Sequence, residues 1–262
     1  MTIADFGFGP LEAQLWQVLF LSIRCGAALL AAPMIGGNAI PPQLRALLAL
    51  VFAMFVVHWA PPVSIPAMLS FAAVLAIIQE MVIGAALGFV LQVAFAVPLI
   101  AAEQIAGTMG LAIATSIDPA SGAQSGALGS YFGLVLTLLF YAIGAHLLWF
   151  ELLIESYRVL PAGSFAVGHG EARAIVEFAG FCFVTAAAIA FPVVLVLLTV
   201  QVVTGTISRS APALNLFALG LPAGVLAGIS ALIIVMPIVI GQFTDLLSAT
   251  IDQVAFLAGH GR

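Results

Sequence analysis

Lysine is absent from this chain, so arginine is its sole strongly basic residue type, and six arginines against eleven acidic residues leave a formal net charge of -5. That balance excludes nucleic-acid binding, because neutralising a run of phosphates needs clustered Lys and Arg. Charge of either sign is scarce at 6% of residues, where a soluble domain carries about a quarter. Catalytic signatures are also missing. No H-E-x-x-H, G-x-S-x-G, G-x-G-x-x-G or Walker phosphate loop occurs, which removes the common zinc, serine-hydrolase and nucleotide sites and argues against an enzyme. Cysteine occurs twice, at Cys25 and Cys182, each inside an apolar run without another Cys or His at ligand spacing. Both read as small buried thiols, with no metal or other cofactor expected.

What the chain has in abundance is apolar surface: 64% of its 262 residues are hydrophobic and the mean hydropathy is +1.27. Lipid, or an apolar assembly, must be its solvent. The expected fold class is an all-α membrane protein, one integral-membrane domain over residues 1–262. Apolar stretches run over Leu15–Ile35, Leu44–Trp59, Pro66–Ala106, Leu128–Ser156, Ala174–Ser208 and Leu214–Phe243, six segments whose lengths predict helices. Breaks are expected at Pro41-Pro42, Pro61-Pro62, Asp118-Pro119, Pro161 and the Gly-rich stretch Gly168–Ala172, since proline lacks a donor and restricts its predecessor. The N-terminus carries Asp5 and Glu12 but no early Lys or Arg, unlike a secretory signal, so the first apolar segment is expected to stay.

Two features depart from an ordinary six-span bundle. The third segment holds about 40 residues, roughly twice the ~30 Å hydrocarbon thickness as one helix. It is expected to be broken, strongly kinked or partly outside the lipid, with Pro98, Pro192 and Pro237 as candidate kinks. Alternating spans place Arg45 and Arg209 on one side and Arg158, Arg173 and Arg262 on the other, so the positive-inside signal is flat.

Ionisable residues in apolar runs are functional candidates because they are costly in hydrocarbon. Arg24, Glu80 and Glu103 qualify. Glu80 could carry a proton, but a buried pair with Arg24 or a hydrogen bond across a subunit contact is the preferred reading. His146 reads as a hydrogen-bonded interfacial residue beside Trp149. Gly84 and Gly88, Gly129 and Gly133, and Gly220, Gly224 and Gly228 form G-x-x-x-G steps, which signal close helix packing. The polar stretch Gly110–Gly126, flanked by apolar runs, reads by composition as a surface loop.

Four passages change that last reading: Arg24–Leu50, Gly107–Gly122 (GTMGLAIATSIDPASG), Gly144–Gly163 and Gly205–Pro222 (GTISRSAPALNLFALGLP). In order, they resemble the motifs of the FliR family of type III secretion export-gate proteins, and the last looks more like the flagellar than the injectisome branch. One departure is Ala213, where the family usually carries Gln. The resemblance implies a non-enzymatic subunit of the bacterial inner membrane and flagellar basal body. Its implied partners are FliP-like and FliQ-like chains in a helical assembly, FlhB and FlhA of the export apparatus, unfolded flagellar substrates and membrane lipid. It further implies that the polar loop projects into the central pore as a plug. Met109, Leu111, Ile113 and Ile117 would then block by packing and dewetting. Gly110 and Gly122 would supply backbone freedom, while Thr115, Ser116, Asp118, Pro119 and Ser121 occupy the solvated part of the turn. Arg24, Glu80, Glu103, Arg209 and Asn215 are the candidate intramembrane polar and assembly residues. The alternative is a proton-coupled secondary transporter using Glu80 and Glu103.

Overall fold

The computed structural model describes residues 9–35, 40–59, 70–110, 126–163, 169–210 and 216–260. Among the described residues the chain is helical and has no strand: α1 (Gly9–Ala31), α2 (Pro42–Trp59), α3 (Phe71–Thr108), α4 (Ala127–Ala142), α5 (Ala145–Val159), α6 (His169–Ser210) and α7 (Leu216–Ala255), followed by a π-helical turn, Phe256–His260. Five of these helices are long and apolar enough to cross a membrane, or six spans if α4 and α5 count as one bent pair. The protein is a multi-pass, all-α membrane protein.

Local chemistry explains several boundaries. Pro42 opens α2, where its missing N–H would have no helical partner anyway. The Ser70 hydroxyl accepts from the Ala73 N–H at 3.1 Å and caps α3. Gly110 adopts φ +82 just past the end of α3, the left-handed stop that glycine takes without steric cost.

Of the alternatives expected for the long third segment (broken, strongly kinked or partly outside the lipid), the structure overturns the break. α3 is one continuous helix of 38 residues with Pro98 inside it, roughly 57 Å at 1.5 Å per residue. α6 holds Pro192 within 42 residues, and α7 holds Pro222 and Pro237 within 40. A proline removes one ladder bond, but in apolar surroundings the other backbone groups have no competing partner, so the helix continues. The break falls instead in the fourth segment, where Gly144 takes φ 74 and α4 meets α5 at 66°. The sixth segment also extends past Phe243 to Ala255. Asp245 and Asp252 there are exposed while Leu246, Leu247 and Val254 are buried, so an amphipathic end replaces the uniformly apolar run.

The described residues gather into two compact units. In the first (1–93, 144–178 and 249–262), α1 packs on α2, and α5 packs on the C-terminal π-turn. The Gly84 and Gly88 step of α3 lies against α1: a Cβ on Gly84 would collide with the Arg24 carbonyl, and one on Gly88 would lie 2.7 Å from Ala31 Cβ. Trp149 is 2% exposed and its indole N–H donates to Leu87 O at 3.2 Å, which makes it a core residue. The second unit (94–143 and 179–248) is centred on aromatic pairs. Phe132 meets Phe243 edge-on at 5.9 Å, and Phe95 meets Phe140 at 5.4 Å.

Candidate functional site

Two clusters of polar side chains stand out among the described residues. The first is built on Arg24, fully buried in α1 together with Glu80 of α3. Arg24 Nε donates to Glu80 Oε2 at 2.8 Å and Nη2 to Oε1 at 3.0 Å, a two-pronged pair. Nη2 also donates to Leu160 O at 2.9 Å, and Nη1 donates to Ser156 Oγ at 3.1 Å. The guanidinium lies 4.1 Å from the centre of the Tyr157 ring, an added cation–π contact. Glu80 Oε1 accepts a further bond from the Gly163 N–H at 3.1 Å. Tyr157 in turn donates to Leu21 O at 2.6 Å, with Cys25 Sγ 3.3 Å from its hydroxyl.

Two buried charges are tolerable only when their donors and lone pairs are filled, and here the Ser156 hydroxyl, the Leu160 carbonyl and the Gly163 N–H help to fill them. The close approach at Gly84 and Gly88 brings α1 near enough for the pair to form. Glu80 is thus engaged on both carboxylate oxygens, by Arg24 and by the Gly163 N–H. Ser156, Tyr157, Leu160 and Gly163 complete the cluster; they fall in the Gly144–Gly163 passage that carries the family resemblance, but were not singled out as site candidates.

The second cluster lies in the second unit, at the two ends of residues 111–125. Gln201 of α6 donates from Nε2 to Thr108 O at 2.7 Å. Thr108 closes α3, and its carbonyl is one of the four that a helix C-terminus leaves without an internal partner. Next in sequence, Met109 is buried in a notch on α7: its side-chain atoms lie 2.7 to 2.8 Å from where a Cβ on Gly228 would sit, and its carbonyl oxygen lies 3.4 Å from where a Cβ on Gly224 would sit. The Gly224 and Gly228 step therefore receives a methionine side chain. At the other end, Glu103 Oε1 accepts from the Gly126 N–H at 3.4 Å. Gly126 is the N-cap residue of α4 and has no side chain to cap with, so a carboxylate from α3 stands at that positive helix end instead.

Arg209 is exposed, one residue from the C-terminal end of α6, where a cation complements the helix dipole. Of the plug candidates, Met109 and Gly110 are placed as above. Leu111, Ile113, Thr115, Ser116, Ile117, Asp118, Pro119, Ser121 and Gly122 lie outside the described residues, as does the assembly candidate Asn215.

The sequence profile described as "Bacterial export proteins, family 1" matches residues 15–250. The flagellar biosynthetic protein FliR of Escherichia coli (strain K12) is 31% identical over 229 residues, covering 87% of this chain and 86% of its own length. The FliR of Pectobacterium carotovorum subsp. carotovorum is 30% identical over 239 residues, 91% of each chain. That of Bacillus subtilis (strain 168) is 30% identical over 182 residues, 66% of this chain and 68% of its own. With a profile match over most of its length and relatives aligned over two thirds or more of theirs, the chain belongs to bacterial export protein family 1, alongside these FliR proteins.

Proposed function

We propose that this protein is a non-enzymatic subunit of the flagellar type III export gate in the bacterial inner membrane. It acts as one integral-membrane domain, forms the pore for unfolded flagellar proteins with FliP-like and FliQ-like subunits, works beside FlhB and FlhA, and uses residues 110–126 as the pore plug. The observation that carries this reading is the length of exposed apolar helix. On α6, exposed large apolar side chains extend from Val176 through Phe183, Phe191 and Leu198 to Ile207, roughly 46 Å of helix axis. On α3 they extend from Phe71 to Leu99, roughly 42 Å. Hydrocarbon ~30 Å thick covers only about 39 Å of a helix tilted by 40°, the upper end of the usual range. The excess needs apolar cover from other protein chains, as a subunit of a multi-chain pore would have.

The transporter reading fares worse. Glu80 is engaged by Arg24 and Gly163 and Glu103 stands at the start of α4, so both candidate coupling carboxylates have structural partners.

Co-expression with FliP-like and FliQ-like chains, gentle solubilisation and native mass spectrometry through a tag on this chain tests the assembly. A large hetero-oligomer is expected; recovery alone or as a small homo-oligomer would sink the proposal. Deleting Ser116–Gln124 in the assembled complex tests the plug, with increased ion leakage expected and unchanged leakage counting against it.

A further inference from the structure

The first unit contains a cavity of about 160 Å³ beside the Arg24 cluster, with Leu160 lining the one and bonding in the other. Its walls come from elements far apart in sequence: Ala86 of α3, Ala172 and Ile175 of α6, and Leu257 of the C-terminal π-turn. The π-turn is a firm wall, because Gly259 takes φ +93 and sits so close to Val159 that a Cβ there would collide with its side chain. We propose that this cavity binds a phospholipid with an amine headgroup, a phosphatidylethanolamine, whose acyl chain enters the cavity while its ammonium rests against Glu171. The inference stands on the fold of the first unit and does not depend on the export reading.

Three observations carry it. The first is size: an apolar cavity of ~150 Å³ takes a ligand of about six carbons, a length that any acyl chain supplies. The second is where the mouth lies. Val82 and Phe256 line the cavity and are themselves exposed apolar side chains, and Val176, next to Ile175, is 71% exposed. The cavity therefore opens through an apolar surface of a membrane protein, where hydrocarbon chains are the surrounding solvent. A chain already in lipid gains nothing there from leaving water; its gain is the dispersion contact with the close walls. The third is charge. Glu171 is the one charged residue on the lining and stands in the first turn of α6, with Ile175 four residues on, roughly 6 Å along the axis. A carboxylate at that end attracts an ammonium and repels a headgroup of net negative charge. Arg173, two residues on, is directed to Glu177 at 2.7 Å.

The test uses the full chain purified in detergent, with equimolar phosphatidylethanolamine and phosphatidylglycerol of matched palmitoyl and oleoyl chains, and counts retained lipids by native mass spectrometry. Wild type is expected to keep one phosphatidylethanolamine, about two- to fivefold in preference to phosphatidylglycerol, the range of an ion pair at an accessible rim. Glu171→Gln should bring that ratio to about one while lipid is still retained. Ala86→Phe and Ala172→Phe fill the cavity from opposite walls and should abolish the retained lipid, and with it the rise in unfolding temperature that added phosphatidylethanolamine gives wild type. A preference that Glu171→Gln leaves intact would show that Glu171 only complements the start of α6, and would overturn the proposal. Retention surviving both Phe variants would place the lipid elsewhere, with the same consequence. If wild type retains neither lipid, the cavity belongs to an apolar side chain of another protein and the proposal falls. Should Ala86→Phe fail to fold, Ala172→Phe, at an exposed position, decides.

Discussion

Replacing Glu80 with Leu removes the carboxylate from a guanidinium that is fully buried and deprives Arg24 Nε and Nη2 of their 2.8 and 3.0 Å partners. Ser156 and Leu160 still accept from Arg24, but they carry no charge. Breaking a buried ion pair from one side costs about 3–5 kcal/mol. At roughly 2–4 °C per kcal/mol for a chain of this size, Glu80→Leu should lower the unfolding temperature of the purified protein in detergent by about 6–20 °C. Arg24→Met alone leaves the carboxylate with the Gly163 N–H and should cost a similar amount. The double variant Arg24→Met/Glu80→Leu strands neither charge. It replaces the pair with apolar groups of comparable length, a change that is near neutral to stabilising in other buried pairs. The cycle should therefore show a favourable coupling of about 3 kcal/mol or more between the two substitutions. Additive losses in the double variant would refute the reasoning, because they would mean that each residue contributes through packing alone.

Other substitutions probe the same framework. Gly84→Val puts a branched side chain against the Arg24 carbonyl; overpacking of this kind costs about 1–3 kcal/mol, and the expected result is a lowered unfolding temperature with weakened α1–α3 cross-linking. Gly144→Ala imposes a Cβ at φ 74 and should destabilise by about 1–2 kcal/mol, read as a fall in unfolding temperature; an unchanged value would show that the α4–α5 bend does not need glycine. Trp149→Phe removes the donor to Leu87 O and part of a buried ring, for an expected loss of about 1–3 kcal/mol and a blue-to-red change in the remaining tryptophan emission only if the core opens.

The apolar segments were legible because hydrocarbon enforces them: in lipid a helix is the sole open-ended structure that satisfies its own backbone. Their ends were less so. Gly144 sits in the middle of an unbroken apolar run, and nothing in the neighbouring residues says that it takes a left-handed turn there. Pro98, a candidate kink by sequence, shows the opposite case: it lies inside a continuous helix of 38 residues, where a proline removes one ladder bond. For the Arg24 cluster, charge in an apolar run drew attention to Arg24 and Glu80. Ser156 and Tyr157 lie 132 and 133 residues beyond Arg24, ordinary polar residues of α5 until the helices cross. Gln201 and the notch at Gly228 were hidden for a different reason: an amide among β-branched residues and a small-residue step each fit general helix packing, and only the fold shows that they meet the end of α3.

The Arg24 pair also constrains how the chain is made. Arg24 leaves the ribosome 56 residues ahead of Glu80, an interval of about 3–11 s at ordinary synthesis rates. During it, α1 carries an unpaired guanidinium that costs about 2.5–3.5 kcal/mol at the centre of a bilayer. The Ser156 and Leu160 acceptors follow later still, 132 and 136 residues on. The charge on α1 therefore gains its carboxylate partner only once α3 has been made.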